Sequence, residues 1–184
     1  PEAFGGSGLD YTYAVAAAEA LGSCDAAGVP MAIGVQTDMA TPALARFGSE
    51  YQQRTWLEPL MNGEIRSAFS MTEPAVASSD AANLETTIVR DGDEYVVNGS
   101  KIWTSLGSYA KYMILLARTS TGGPNKYAGL SFFLAPMDAE GVEPRPIKKL
   151  TGEYGFCQTF FNDARIPASC LMGKEGEGWK VAMA

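Results

Sequence analysis

Met71-Thr72-Glu73-Pro74-Ala75-Val76-Ala77-Ser78-Ser79-Asp80 follows directly on the apolar segment Ser67-Ala68-Phe69-Ser70. Pro74 has no N–H and biases Glu73 toward an extended backbone, so a strand is expected to end here. The small-residue turn beyond it offers backbone N–H groups and the hydroxyls of Thr72, Ser78 and Ser79 to an anion or a flat polar ring. Outward from this stretch the texture differs on its two sides. Before it lie helical patterns, and after it short strands separated by turn residues.

On the helical side, Asp10 is a fair N-cap for a helix over residues 11–25, with Tyr13, Ala17, Ala20, Leu21 and Cys24 at helical spacing. Gly28-Val29-Pro30 reads as a break, followed by a second helix over 31–39. A third starts at Thr41-Pro42 and ends at Gly48. Residues 50–61 form a fourth, closed by Asn62-Gly63. On the strand side, residues 87–97 read as a hairpin turning at Asp91-Gly92-Asp93. Asn98-Gly99 predicts a further reversal before residues 101–105, within the run Asn98-Gly99-Ser100-Lys101-Ile102-Trp103-Thr104-Ser105-Leu106-Gly107. Buried strands are expected at 112–117, 130–135, 142–147 and 158–161, with a solvated loop over 119–125. Trp179 to Ala184 reads as a helix start that is cut off, so the chain is expected to be a piece of a larger protein.

Composition narrows the function classes. The chain has 184 residues, 46% of them apolar and 19% charged, which suits a globular protein with a core. A net charge of −7 with no basic run argues against nucleic-acid binding. No apolar run approaches the roughly 20 residues of a membrane span. Cys24, Cys157 and Cys170 are odd in number and widely spaced, which suits reduced thiols in a cytoplasm or organelle matrix. Histidine is absent, which removes Ser-His-Asp triads and the commonest metal ligand; no metal site is expected.

Taken together, the runs at 67–80 and 98–107 resemble the flavin-binding segments of the acyl-CoA dehydrogenases. Further shared motifs are Pro1-Glu2-Ala3-Phe4-Gly5-Gly6-Ser7-Gly8, the 91–99 hairpin, Phe161-Asn162-Asp163-Ala164-Arg165-Ile166-Pro167 and Gly173-Lys174-Glu175-Gly176-Glu177-Gly178-Trp179. The resemblance covers essentially the whole chain. It departs at the turn after Thr-Glu-Pro, where two glycines of the usual pattern are replaced and one residue is added. The variant Val-Ala-Ser-Ser-Asp resembles the branch that includes dehydrogenases fused to a kinase-like domain.

The resemblance implies an α+β chain: a partial N-terminal helical domain (1–64), an antiparallel β-barrel or sandwich middle domain (65–173) and the start of a truncated C-terminal helical domain (174–184). It implies FAD as cofactor, an acyl-CoA thioester as substrate, and α,β-dehydrogenation with hydride passing to flavin N5. Phe69, Met71 and Thr72 would line the pyrimidine side of the flavin. Trp103 would pack on the ring, Thr104 would contribute main-chain contact, and Ser105 would bond to N5. Ser78 and Ser79 would meet phosphate or substrate, and Val35 and Thr37 would line the acyl tunnel. For Trp103 an ordinary core tryptophan stays open beside the flavin role. Glu73 and Asp80, tempting as an acid–base pair, are expected to fix the loop. The catalytic glutamate is expected beyond Ala184. The electron acceptor implied is an electron-transferring flavoprotein, and the intact protein a homodimer or homotetramer. An acyl-CoA oxidase on the same fold and a non-catalytic β-barrel module are the alternatives.

Overall fold

The computed structural model describes residues 1–77 and 80–184. It divides into two units, Pro1–Ile65 and Arg66–Ala184.

In the first unit, helix α1 (Tyr11–Gly22) starts where the Asp10 carboxylate accepts the Thr12 N–H at 2.9 Å. None of its residues is buried, so the expected apolar stripe lies open in this chain. Helix α2 (Gly28–Gly34) begins at the Gly-Val-Pro run read as a breaker. Proline is tolerated in a first turn, where its missing N–H has no helical partner to lose. The next expected boundary is also absent: α2 runs through a wide π-turn (Val35–Ala40) directly into α3 (Thr41–Phe47). Pro42 cannot donate into that turn, and the Thr41 hydroxyl donates to the Thr37 carbonyl at 2.9 Å in its place.

After Gly48, Ser49 and Gln52 form a reciprocal capping box that starts α4 (Glu50–Gln52). A second π-turn (Gln53–Leu57) joins it to α5 (Glu58–Met61). Ala43, Leu44, Leu57 and Leu60 are buried.

The second unit is an eight-stranded sheet: β1 (Ser67–Ser70), β2 (Thr87–Asp91), β3 (Glu94–Ser105), β4 (Tyr112–Arg118), β5 (Leu130–Pro136), β6 (Val142–Lys148), β7 (Tyr154–Pro167) and β8 (Leu171–Met172), followed by helix α6 (Gly178–Ala182). Spatial order is β6-β7-β3-β2-β4-β5-β8, with β1 beside β4. Most pairs are antiparallel, as expected. The sheet is nevertheless mixed, because β1 lies parallel to β4 and β2 makes a single parallel bridge to it. The β2–β3 hairpin turns as read, with Gly92 at φ 63°. β4 and β5, near-continuous apolar runs, are buried almost throughout. Tyr95, Val97, Met113, Leu115, Phe133, Phe161 and Ile166 form the main core cluster.

Three strand expectations need correction. Asn98-Gly99 is not a reversal: β3 continues through it with an irregular register against β7. β7 is far longer than the four residues expected, because its outward Asn162-Asp163 interrupts the apolar signal without ending the strand. β6 is mostly exposed and forms an end of the sheet, carrying Pro144 and Pro146 opposite Thr159 and Cys157. Among the described residues no helix is long and apolar enough to cross a membrane.

Candidate functional site

The site is built by a defect in β3. Lys101 pairs with Thr159 of β7, and the next pairing is Thr104 with Cys157, so three steps on β3 oppose two on β7. The extra residue makes a β-bulge. Trp103 falls inside it with φ 60°, left-handed backbone that a bulky side chain rarely adopts. The residue is 54% exposed, and its indole meets the Phe156 ring in a T-shaped contact, at 6.1 Å between ring centroids and 88° between planes. The reading of Trp103 as a core tryptophan fails on this exposure.

Beside the bulge lies the end of β1. The Ile102 N–H donates to the Thr72 carbonyl at 2.8 Å, and the Ser70 and Thr104 hydroxyls approach to 3.3 Å. The two runs singled out in the sequence therefore meet. Phe69 is half-buried in β1, opposite Ile114 of β4; Met71 and Thr72 follow it. Thr104 is turned inward and fully buried, its hydroxyl accepting from Thr159 at 3.4 Å, which leaves main chain as its contribution outside. Ser105 is exposed. Among the described residues the Thr72 and Ser105 hydroxyls have no hydrogen-bond partner. A half-exposed aromatic plane with the Ser105 hydroxyl two residues on, and Thr72 joined through its carbonyl to the neighbouring Ile102, suits a flat polar ring system.

Sequence reasoning missed what lies beneath. Lys101 is fully buried and its Nζ donates to Glu73 Oε1 at 2.7 Å and to the Met71 carbonyl at 3.0 Å. Glu73, itself buried, also accepts the N–H groups of Glu85 at 2.6 Å and Thr86 at 3.0 Å. Burial pushes the Lys101 ammonium down to about 8, against the upward pull of Glu73. For Glu73, burial acts to raise the carboxyl, but the Lys101 charge and the donated hydrogen bonds outweigh it and hold it below its ordinary value. A signal for Lys101 did exist: it shares the inward parity of Tyr95 and Val97 along β3. Asp80 caps the short turn at Ala81–Asn83, accepting from Ala82 N–H at 3.1 Å and Asn83 Nδ2 at 2.7 Å. Both carboxylates thus fix loop structure.

Ser78 and Ser79 lie outside the described residues. Val35 and Thr37 belong to the helical unit. Val35 lines an open groove of about 530 Å³ with Met31, Asp38 and Met39. Thr37 is exposed, and its hydroxyl donates to the Ile33 carbonyl at 3.1 Å.

Two family models match the chain: the acyl-CoA dehydrogenase N-terminal domain over residues 1–64 and the acyl-CoA dehydrogenase middle domain over residues 68–164. The chain belongs to the acyl-CoA dehydrogenase family. It is 40% identical over 184 residues to acyl-CoA dehydrogenase IpdE1 of Mycobacterium tuberculosis, covering all of this chain and 47% of that protein. The crystal structure of an acyl-CoA dehydrogenase from Geobacillus kaustophilus superposes with a TM-score of 0.86 at 34% identity, covering the whole chain and 48% of its own. A glutaryl-CoA dehydrogenase from Mycobacterium smegmatis, solved in complex with FADH2, gives a TM-score of 0.72 at 28% identity over 85% of this chain and 39% of that one. The chain thus spans about half the length of these relatives, or less.

Proposed function

We propose that this chain forms one wall of the FAD and acyl-CoA site of an acyl-CoA dehydrogenase, which desaturates a thioester between its α and β carbons. The observation that carries the reading is the Trp103 indole, held half-exposed on a strained bulge beside the Thr72 strand end. FAD, when bound, supplies the two-electron sink for the β-hydrogen.

On this reading Phe69, Met71 and Thr72 offer main-chain groups and one hydroxyl to the pyrimidine side, and the Trp103 indole covers ring surface and excludes water. The Ser105 hydroxyl donates toward N5, with Thr104 main chain beside it. Ser78 and Ser79 take phosphate or substrate oxygens, and Val35 and Thr37 line the acyl chain's path. Glu73 is not the base: its oxygens are engaged by Lys101 and two backbone amides. The α-proton acceptor is proposed to come from outside these 184 residues. Electrons pass to an electron-transferring flavoprotein, and the intact enzyme is a homodimer or homotetramer. The free Cys24, Cys157 and Cys170 favour a reducing compartment, a cytoplasm or an organelle matrix.

The test is flavin content and turnover of butyryl- to palmitoyl-CoA by the intact protein, with Trp103→Gly alongside. The intact protein is expected to carry FAD and to reduce an electron-transferring flavoprotein. Trp103→Gly is expected to lose most of its flavin on gel filtration. The 184-residue chain alone is expected to show little or no turnover for want of a base. An intact protein with no flavin would sink the reading, and steady peroxide release would select the oxidase instead.

A further inference from the structure

Lys101 sits below the strand end that the proposed function assigns to the flavin, with a side chain 0% exposed. A buried ion pair is weak as a stabiliser, since taking both charges out of water cancels much of their attraction. Well-packed apolar residues in their place are often neutral or better. What such a pair does supply is fixed geometry, and here that geometry has a direction.

The Met71 carbonyl points at Lys101 Nζ, 3.0 Å away. In a trans peptide the N–H of the following residue points opposite to that carbonyl. Holding Met71 O inward therefore turns the Thr72 N–H outward, away from the ammonium. The next peptide plane is fixed too, because the Thr72 carbonyl accepts from Ile102 N–H at 2.8 Å. Both planes flanking Thr72 are thus anchored through their oxygens to β3. Among the described residues the Thr72 N–H has no hydrogen-bond partner. Glu73 completes the clamp: it takes Lys101 Nζ at 2.7 Å and ties the pair to the backbone of Glu85 and Thr86.

We propose that Lys101 is a positioning residue that aims the Thr72 amide N–H, by anchoring the Met71 carbonyl, at the acceptor edge of the bound flavin. It touches neither substrate nor cofactor. The inference rests on the flavin reading given above, and it assigns to a lysine on β3 the orientation of a donor in the segment that follows β1.

The experiment uses the intact protein and free FAD, comparing Lys101→Met with Glu73→Gln (double), Glu73→Gln alone, and Lys101→Arg. Removing both charges avoids leaving one buried alone, so the double variant is expected to melt close to the wild type. At that unchanged melting temperature its flavin dissociation constant is expected to rise at least tenfold, with a shifted visible flavin circular dichroism band. Lys101→Arg, which keeps a cationic donor, is expected to recover most of that loss. Glu73→Gln alone keeps the volume and an amide oxygen for Lys101 Nζ; it leaves the ammonium without a counter-charge and is expected to melt lower, but it reports wherever it folds, including where the double variant does not. Its flavin release is expected to be several-fold faster than wild type.

Wild-type flavin affinity and an unchanged flavin spectrum in a folded double variant would overturn the proposal and leave Lys101 a staple of the fold. So would wild-type flavin release from Glu73→Gln. A wild-type protein that binds no FAD would instead overturn the underlying flavin reading, an outcome visible before any variant is compared.

Discussion

Two residues show how a single position bears on stability. Left-handed backbone costs a non-glycine residue about 1–2 kcal/mol, and Trp103 sits there with an exposed ring. Replacing it with glycine removes that strain but forfeits the Phe156 edge contact, worth about 0.5–1.5 kcal/mol, and adds about 0.5–1 kcal/mol of chain entropy. Those terms nearly cancel, which leaves the buried half of the ring surface as the net loss, about 1–2 kcal/mol. Trp103→Gly should therefore lower the unfolding free energy of the flavin-free protein by about 1–2 kcal/mol, less than the roughly 3–5 of a truncated core aromatic. Urea denaturation of the apoprotein measures this.

Glu73 is the second, and its contribution is read through pH. Its carboxyl is held below the ordinary 4.5 in the folded protein, so the unfolded chain takes up the proton first as pH falls. The stability it contributes is complete above about pH 4.5 and disappears as pH drops through the lower folded value. Unfolding free energy measured against pH should fall in that window for the wild type and flatten there for Glu73→Gln. An unchanged slope would mean that Glu73 does not titrate in the folded state as its partners dictate.

At the scale of elements, tight turns show how far local chemistry constrains the chain. Gly141 precedes β6 with φ 83°, and a β-carbon added there would lie 2.5 Å from the Asn162 carbonyl oxygen. Gly141→Ala should pay both the left-handed penalty and a backbone clash, about 3 kcal/mol or more together. Thermal melting would show the loss; a shift of a degree or two would mean that β6 and β7 can part without consequence. The β2–β3 hairpin and the β4 and β5 runs were legible because turn glycines and unbroken apolar stretches are local signals. The π-turns of the helical unit were not, since Pro42 reads as a start when a threonine hydroxyl can replace its donor. The bulge in β3 was equally invisible. A one-residue excess shows only against the partner strand, and β7 lies more than fifty residues on. The motif runs were found in the sequence, but their junction through Ile102 and Thr72, and the buried lysine under it, needed three dimensions.

At the scale of the whole chain, the sheet has open margins, and β6 is one of them. Pro144 and Pro146 share a parity, so both remove donors from the same side of the strand. Continuous pairing with β7 assigns that side to the outer margin. A foreign strand approaching there finds carbonyls without the alternating amides it needs to zip on. Pro144→Thr with Pro146→Thr should leave the monomer's fold intact but raise the light-scattering signal on storage, because the restored donors make a template for another chain; scattering equal to the wild type would deny the prolines that part. The two rings thus act as a guard against runaway self-association, a safeguard written into an otherwise unremarked ribbon of the molecule.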